Sequence, residues 1–85
     1  MFYYVYVIQN ELGELYYGYT NELKQRIERH NKGLSFATKG HTWRLIYFEG
    51  YKDKTDACNR EKQLKCYGQA LAQLKRRIGN SLRVS

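Results

Sequence analysis

Three groups of side chains in this 85-residue chain have types and spacings that could do chemistry. Glu61 is the first. In the stretch around it, Ala57, Glu61, Leu64 and Lys65 fall close together on one side of a helix, so a carboxylate stands beside an apolar stripe. Such a group is either a rim residue paired with Arg60, Lys62 or Lys65, or a ligand for a hard cation. Mg²⁺ commonly takes only one or two carboxylates and completes its shell with water and substrate phosphate, so one Glu is enough. Arg26 and His30 are the second group. One helical turn apart, they stack over the same face and could both point at an anion. A guanidinium suits charge developing on a phosphoryl group and stays protonated at any relevant pH. The plainer alternative is a solvated helix face with a half-buried histidine. The tyrosines, nine in all, are the third group. Phenols fill a pleated, half-buried surface well. The functional alternative has Tyr6 or Tyr16 orient or deprotonate a water. A phenol of ordinary pKa near 10 is a poor base at neutral pH, but a nearby Arg and a metal ion would lower that value.

Other chemical signatures are missing. The chain has no phosphate-binding Gly loop, no HExxH, no CxxC pair and no Ser nucleophile motif. Cys58 and Cys66 are too few for a disulfide framework and have no metal-site spacing with the two histidines, so reduced, partly buried thiols are expected.

The elements that position these groups follow from periodicity. Phe2 to Gln9, rich in Tyr, Val and Ile and apolar on both faces, reads as a central strand. Period-2 geometry sorts Phe2, Tyr4, Tyr6 and Ile8 to one face and Tyr3, Val5 and Val7 to the other. Asn10-Glu11-Leu12-Gly13 makes a hairpin turn in which Gly13 takes the positive φ. Glu14 to Thr20 returns, with Tyr16 and Gly18 on one face and Leu15, Tyr17 and Tyr19 on the other. Tyr6 and Tyr16 share a face only if the loop has an odd number of residues. Thr20 or Asn21 caps a helix that runs to about Asn31 and stops before Gly33, with Leu23, Ile27 and His30 on one stripe. A loop carrying Thr38, Lys39, Gly40 and His41 leads to a third strand, Trp43 to Gly50. There Trp43, Leu45 and Tyr47 alternate with Arg44, Ile46 and Phe48. Asp53 or Thr55 caps a second helix to about Cys66, which Gly68 breaks. A last helix, Gln69 to Ile78, turns Leu71, Leu74 and Ile78 inward. The stretch from Gly79 to Ser85 is expected to fray. The order β-β-α-β-α-α predicts a small α+β domain over residues 1–78, a three-stranded antiparallel sheet flanked by three helices.

Composition narrows the partners. A chain of this length builds one domain with a thin core, without room for a second module that would choose a target. The net charge is +7 and unevenly placed: residues 1–50 hold six basic and five acidic groups, residues 51–85 nine and three. A positive second half suits a polyanion, nucleic acid or an acidic surface. No apolar run approaches the ~20 residues of a membrane span, and no positive leader precedes one, so the expected location is cytoplasmic, with no membrane partner.

Several motifs in order resemble the GIY-YIG nuclease superfamily, in particular its small single-domain bacterial members. Tyr4-Val5-Tyr6 stands where that family has Gly-Ile-Tyr, and Tyr16-Tyr17-Gly18 where it has Tyr-Ile-Gly. Arg26 with His30-Asn31 resembles its Arg-x-x-x-His helix, Trp43 to Tyr47 its third strand, and Arg60 to Lys65 its Glu-bearing helix. The match runs from about Tyr3 to Ile78. The resemblance implies hydrolysis of a phosphodiester with one divalent ion, Mg²⁺ or Mn²⁺, on nucleic acid, most naturally DNA, with a role in repair or recombination. It implies that Tyr6 and Tyr16 orient or activate water, Gly18 lets backbone approach the site, Arg26 stabilises phosphoryl charge, His30 supports it and Glu61 holds the metal. Lys39, Lys62, Lys65, Lys75, Arg76 and Arg77 would grip the backbone without reading bases, and a protein partner could supply target choice. Two departures stand out: Tyr4 replaces the first Gly, and the only late Asn, Asn80, lies outside the expected site. The competing readings are a non-catalytic nucleic-acid-binding module and a protein–protein adaptor.

Overall fold

The computed structural model describes residues 1–83. Its elements are β1 (Tyr3–Asn10), β2 (Leu15–Thr20), α1 (Leu23–Asn31), a 3₁₀ turn (Phe36–Thr38), β3 (Trp43–Tyr51), α2 (Lys54–Lys65) and α3 (Gln69–Arg77). The sheet order is β2-β1-β3, antiparallel throughout, so β1 is central and β2 and β3 are edges. This is the α+β architecture expected from the sequence.

The hairpin loop is odd. Asn10 N–H donates to the Glu14 carbonyl and Gly13 N–H to the Asn10 carbonyl, leaving Glu11-Leu12-Gly13 as a three-residue loop with Gly13 at φ 85°. The Asn10 side chain accepts from the N–H groups of Leu12 and Glu14 and donates to the Glu14 carboxylate, which locks the turn. The resulting register pairs Tyr6 with Gly18 and Ile8 with Tyr16, so the two motif tyrosines share a face.

Each sheet face buries its own cluster. On one, Val5, Val7 and Tyr17 pack under Ala57 and Leu64 of α2, with Leu71 and Leu74 of α3 behind. On the other, Tyr6, Ile8 and Trp43 pack under Leu23 and Ile27 of α1. The helix ends are specified locally. The capping position of α1 is Glu22, not the expected Thr20 or Asn21, and no side chain caps it; Thr20 Oγ1 accepts from Glu22 N–H just before the helix, whereas Asp53 accepts from Thr55 N–H to cap α2. Gly33, at φ 73°, closes α1 with the Leu34 N–H reaching back to the Arg29 carbonyl. The second helix ends before Gly68, as expected, with Tyr67 taking the left-handed turn at φ 56°.

Two further expectations are corrected. β3 is not a simple alternation, because a bulge at Ile46 pairs Val7 with Tyr47 but Ile8 with Leu45. Trp43, Leu45 and Phe48 therefore share the α1 face, while Ile46 and Tyr47 both pack toward α2. The end of the chain is also tied down through Arg83: Gln9 donates to the Leu82 carbonyl at 2.9 Å and Arg44 to that of Arg83 at 3.1 Å. Val84 and Ser85, part of the stretch expected to fray, lie outside the described residues. Cys58 is half-buried but Cys66 is exposed; both are free thiols. Among the described residues no helix is long and apolar enough to cross a membrane.

Candidate active site

The site lies at the β2 edge, where side chains from both sheet faces meet around the strand. Tyr16 and Gly18 approach from the α1 side together with Arg26. Glu61 approaches from α2 on the other side. All four line one open cleft of about 360 Å³. Tyr3 and Tyr19, although on the α2 face, reach the same cleft around the edge, and Thr20 and Asn21 complete its rim.

Lys54, which the sequence reading did not single out, also lines the cleft. It is the first residue of α2. Its spacing from Glu61, i to i+7, places both on one helix stripe, a signal present in the sequence once Glu61 is taken as the reference.

Glu61 has a side chain only 15% exposed and pairs with Lys65 Nζ at 3.3 Å. Lys65 in turn sits 5.5 Å from the centre of the Tyr16 ring, which ties α2 to the tyrosine across the edge. The neighbouring Arg60 is directed elsewhere. Its Nε donates to Glu49 of β3 at 2.8 Å, where the Tyr47 and Tyr51 hydroxyls also donate. Burial and the carboxylate beside it push the Tyr51 phenol up to about 12, while the hydrogen bonds and Arg60 hold Glu49 below its usual range against the effect of burial.

Tyr6 does not line the cleft. It is 1% exposed and lies beneath Gly18: a Cβ built on Gly18 would stand 2.4 Å from the Tyr6 hydroxyl. Gly18 is thus needed by the Tyr6 ring, a different reason from the backbone approach expected of it. The Tyr6 hydroxyl meets His30 Nε2 at 2.8 Å, and His30 Nδ1 meets Thr38 Oγ1 at 2.8 Å. Tyr16 stands edge-on to the His30 ring, 5.2 Å between centres. Burial pushes the Tyr6 phenol up to about 12, and Arg26 opposes this without overcoming it. The expected cationic lowering of this phenol is therefore outweighed by desolvation.

His30 is 2% exposed, and burial together with Arg26 and Arg29 holds it below the usual histidine value of 6.5. The unfolded chain accordingly binds a proton there more readily than the folded one. Stability contributed by neutral His30 is complete above about pH 6.5 and is lost as pH falls from there toward the folded value. The expected result is a melting temperature that declines with acidification through this window, with a smaller decline in His30→Gln. Equal declines in the two proteins would contradict it.

Of the other cations expected to grip nucleic acid, Lys65 alone is placed against the site residues. Lys39, Lys62, Lys75, Arg76 and Arg77 are exposed, and Arg77 lies near Tyr47 of β3, across the sheet from the cleft edge. Phe36, on the 3₁₀ turn, is 96% exposed beside Lys39.

The family model for the GIY-YIG catalytic domain matches residues 2–77, and the chain, with its β2-β1-β3 sheet flanked by helices, belongs to that family. UPF0213 proteins of Staphylococcus aureus, those of strains Mu50 and N315 among them, are 33% identical over 66 residues, covering 75% of this chain and 80% of theirs. The solution NMR structure of the UPF0213 protein BH0048 from Bacillus halodurans superposes with a TM-score of 0.54 at 26% identity, covering 87% of this chain and 81% of that one.

Proposed function

We propose that the protein is a metal-dependent endonuclease that hydrolyses DNA phosphodiester bonds with little base selectivity. The observation that carries this reading is the convergence of Glu61, Arg26, Lys54 and Tyr16 on one cleft. It places an acidic group, two cations and a phenol around a space that a phosphodiester can enter.

The donor set fits a hard divalent cation. Glu61 is a carboxylate on the cleft wall, and among the described residues no group of three or more His, Cys, Asp or Glu forms a protein cage. Such a wall suits Mg²⁺ or Mn²⁺, whose remaining positions are filled by water and phosphate oxygens. Bound there, the ion supplies Lewis-acid stabilisation of phosphoryl charge. Glu61 would exchange Lys65 for the ion.

The chain's own residues do the rest. Arg26 and Lys54 bind the phosphate, and Arg26 stabilises the charge that grows on it. Tyr16 orients a water on the cleft side. Tyr6, lying directly beneath Gly18 of the cleft wall, takes a proton from that water and passes its own proton to His30 Nε2. The water oxygen bonds to phosphorus as the bond to the leaving oxygen breaks with its electron pair. His30 then returns its proton to Tyr6 as Tyr6 releases the one taken from water, which the leaving oxygen or bulk water takes up. Lys62 and Lys65 on α2, with Lys39, Lys75, Arg76 and Arg77 beyond, hold the backbone by charge. A DNA substrate agrees with the cytoplasmic location expected from the sequence. Use in repair or recombination, with a partner protein supplying target choice, completes the reading.

The test is nicking of branched, single-stranded and duplex DNA with and without Mg²⁺ or Mn²⁺. Ion-dependent cleavage that stops on chelation supports the reading. Salt-dependent binding with no cleavage under any ion would make this a binding module instead. In the same assays Lys54→Ala is expected to weaken binding uniformly across sequences and to reduce the slope of log affinity against log salt by about 1. An unchanged slope in anisotropy titrations would remove Lys54 from the phosphate contacts.

A further inference from the structure

We infer that Thr38 is a positioning residue for Tyr6: it fixes the tautomer of His30 so that Nε2 carries the lone pair that receives the Tyr6 proton. The inference rests on the proton path proposed above and extends it to a residue outside the cleft. Three polar side chains with almost no solvent contact stand in line, Tyr6 at 1%, His30 at 2% and Thr38 at 0% exposure. A hydroxyl has a single proton to donate. The Ser35 carbonyl, 3.3 Å from Thr38 Oγ1, can only accept, and we assign the hydroxyl proton to that contact. Toward His30 Nδ1, 2.8 Å away, it must then act as acceptor, so Nδ1 carries the imidazole proton. In a neutral ring this leaves Nε2 as an acceptor, and the Tyr6 hydroxyl at 2.8 Å is the donor. The chain of donation runs from Tyr6 to His30 to Thr38 to Ser35.

Thr38 is itself held in place. The Trp43 indole N–H donates to the Thr38 carbonyl at 2.8 Å, and the Thr38 N–H reaches the Ser35 carbonyl at 3.2 Å. Asn31 adds a two-way clamp, donating to the Trp43 carbonyl at 2.8 Å and accepting from the Trp43 N–H at 2.6 Å. The short 3₁₀ turn between α1 and β3 thus works as a fixed acceptor aimed at the imidazole. With the opposite tautomer, Nε2–H would point at Tyr6 and no lone pair would be available for its proton. A fixed tautomer set by the partner of the other ring nitrogen is a general requirement of histidines that move protons.

The experiment is a long-range ¹H–¹⁵N correlation spectrum of the full chain above pH 7, where only two histidines contribute. Wild type and Thr38→Ser are expected to show His30 with a protonated Nδ1 and a bare Nε2. Thr38→Val, close in shape but without the hydroxyl, is expected to show a mixture of tautomers or the Nε2–H form. In cleavage assays Thr38→Val should lose about 10–100-fold in kcat, the scale seen when the outer hydrogen-bond partner of a metal-bound histidine is removed, with KM little changed, and Thr38→Ser should restore most of it. A wild-type His30 in the Nε2–H form would overturn the inference, as would Thr38→Val with an unaltered tautomer. If Thr38→Val fails to fold, the spectra of wild type and Thr38→Ser still decide it. The spectra need no turnover, so a protein that cuts nothing would defeat the nuclease reading and leave the tautomer result standing on its own.

Discussion

Replacing Arg26 by Ala is expected to slow the cleavage step about 10²–10³-fold, the usual cost of removing one preorganised charge from a transition state. The cleft has two cations, but they do different work. Lys54 opens α2 and contributes a point charge. Arg26 presents a planar fork, and no ion pair among the described residues involves it. It also stands close enough to Tyr6 and His30 to oppose the rise of one and to help keep the other neutral. In the proposed mechanism its removal takes away phosphoryl stabilisation, and it lets burial raise the Tyr6 phenol further. Single-turnover assays at saturating protein separate this from binding, which should change only a few fold because one phosphate contact is lost. Arg26→Lys should recover a minor part, since charge returns without the fork. Glu61→Gln should show a loss at least as large, together with a loss of response to added Mg²⁺. A variant of either position that cuts within a few fold of wild type would sink the assignment.

Gly18→Ala should be the most damaging single methyl in the molecule. Tyr6 pairs directly with Gly18 across the two strands, and a Cβ there would come within 2.5 Å of the phenol's ring carbon as well as 2.4 Å of its oxygen. The ring cannot swing aside cheaply, because it is buried under α1 and held by His30. Overpacking of this kind costs about 1–3 kcal/mol. For a domain of this size each kcal/mol lowers the melting temperature by about 4–8 °C, so a drop on the order of 10 °C is expected by calorimetry. Cleavage should fall with it even at temperatures where the variant is folded, because the methyl displaces the Tyr6 hydroxyl from His30. A stable variant with full activity would show that Tyr6 plays no part.

Most of the architecture was legible in the sequence because it depends on local rules. Period-2 sorting puts Tyr16 with Gly18 and Tyr6 with Ile8, but that the two sets share a face is decided only by the three-residue loop seen in the fold. The bulge in β3 was not legible: Ile46 and Tyr47 are both good strand residues, and no Gly marks the extra position. The site divides in the same way. Glu61 and Arg26 could be read from helix spacing, and both line the cleft. That Tyr6 is buried follows from the packing of α1 over β1, a contact between separate elements. Thr38 reaches His30 only through the folding of the loop after α1, which no local pattern encodes. For Tyr6 the sequence could say only which way a nearby cation would push; Arg26 does push down, and only the folded geometry shows that burial outweighs it.

Ala57 has a consequence for how variation in this chain would be felt. It is fully buried one turn before Glu61, with Leu64 fully buried three residues after it, and the two seat α2 on the sheet. The width of the cleft is therefore gauged from inside the core. Ala57→Val would lift α2 and carry Glu61 and Lys54 away from Arg26 and Tyr16. Activity should then disappear while a far-ultraviolet dichroism spectrum still reports an intact fold; a folded Ala57→Val protein with undiminished cleavage would contradict this. A screen for lost cleavage would recover core positions as readily as cleft positions, and a catalogue of inactive variants would overstate how many residues touch the substrate.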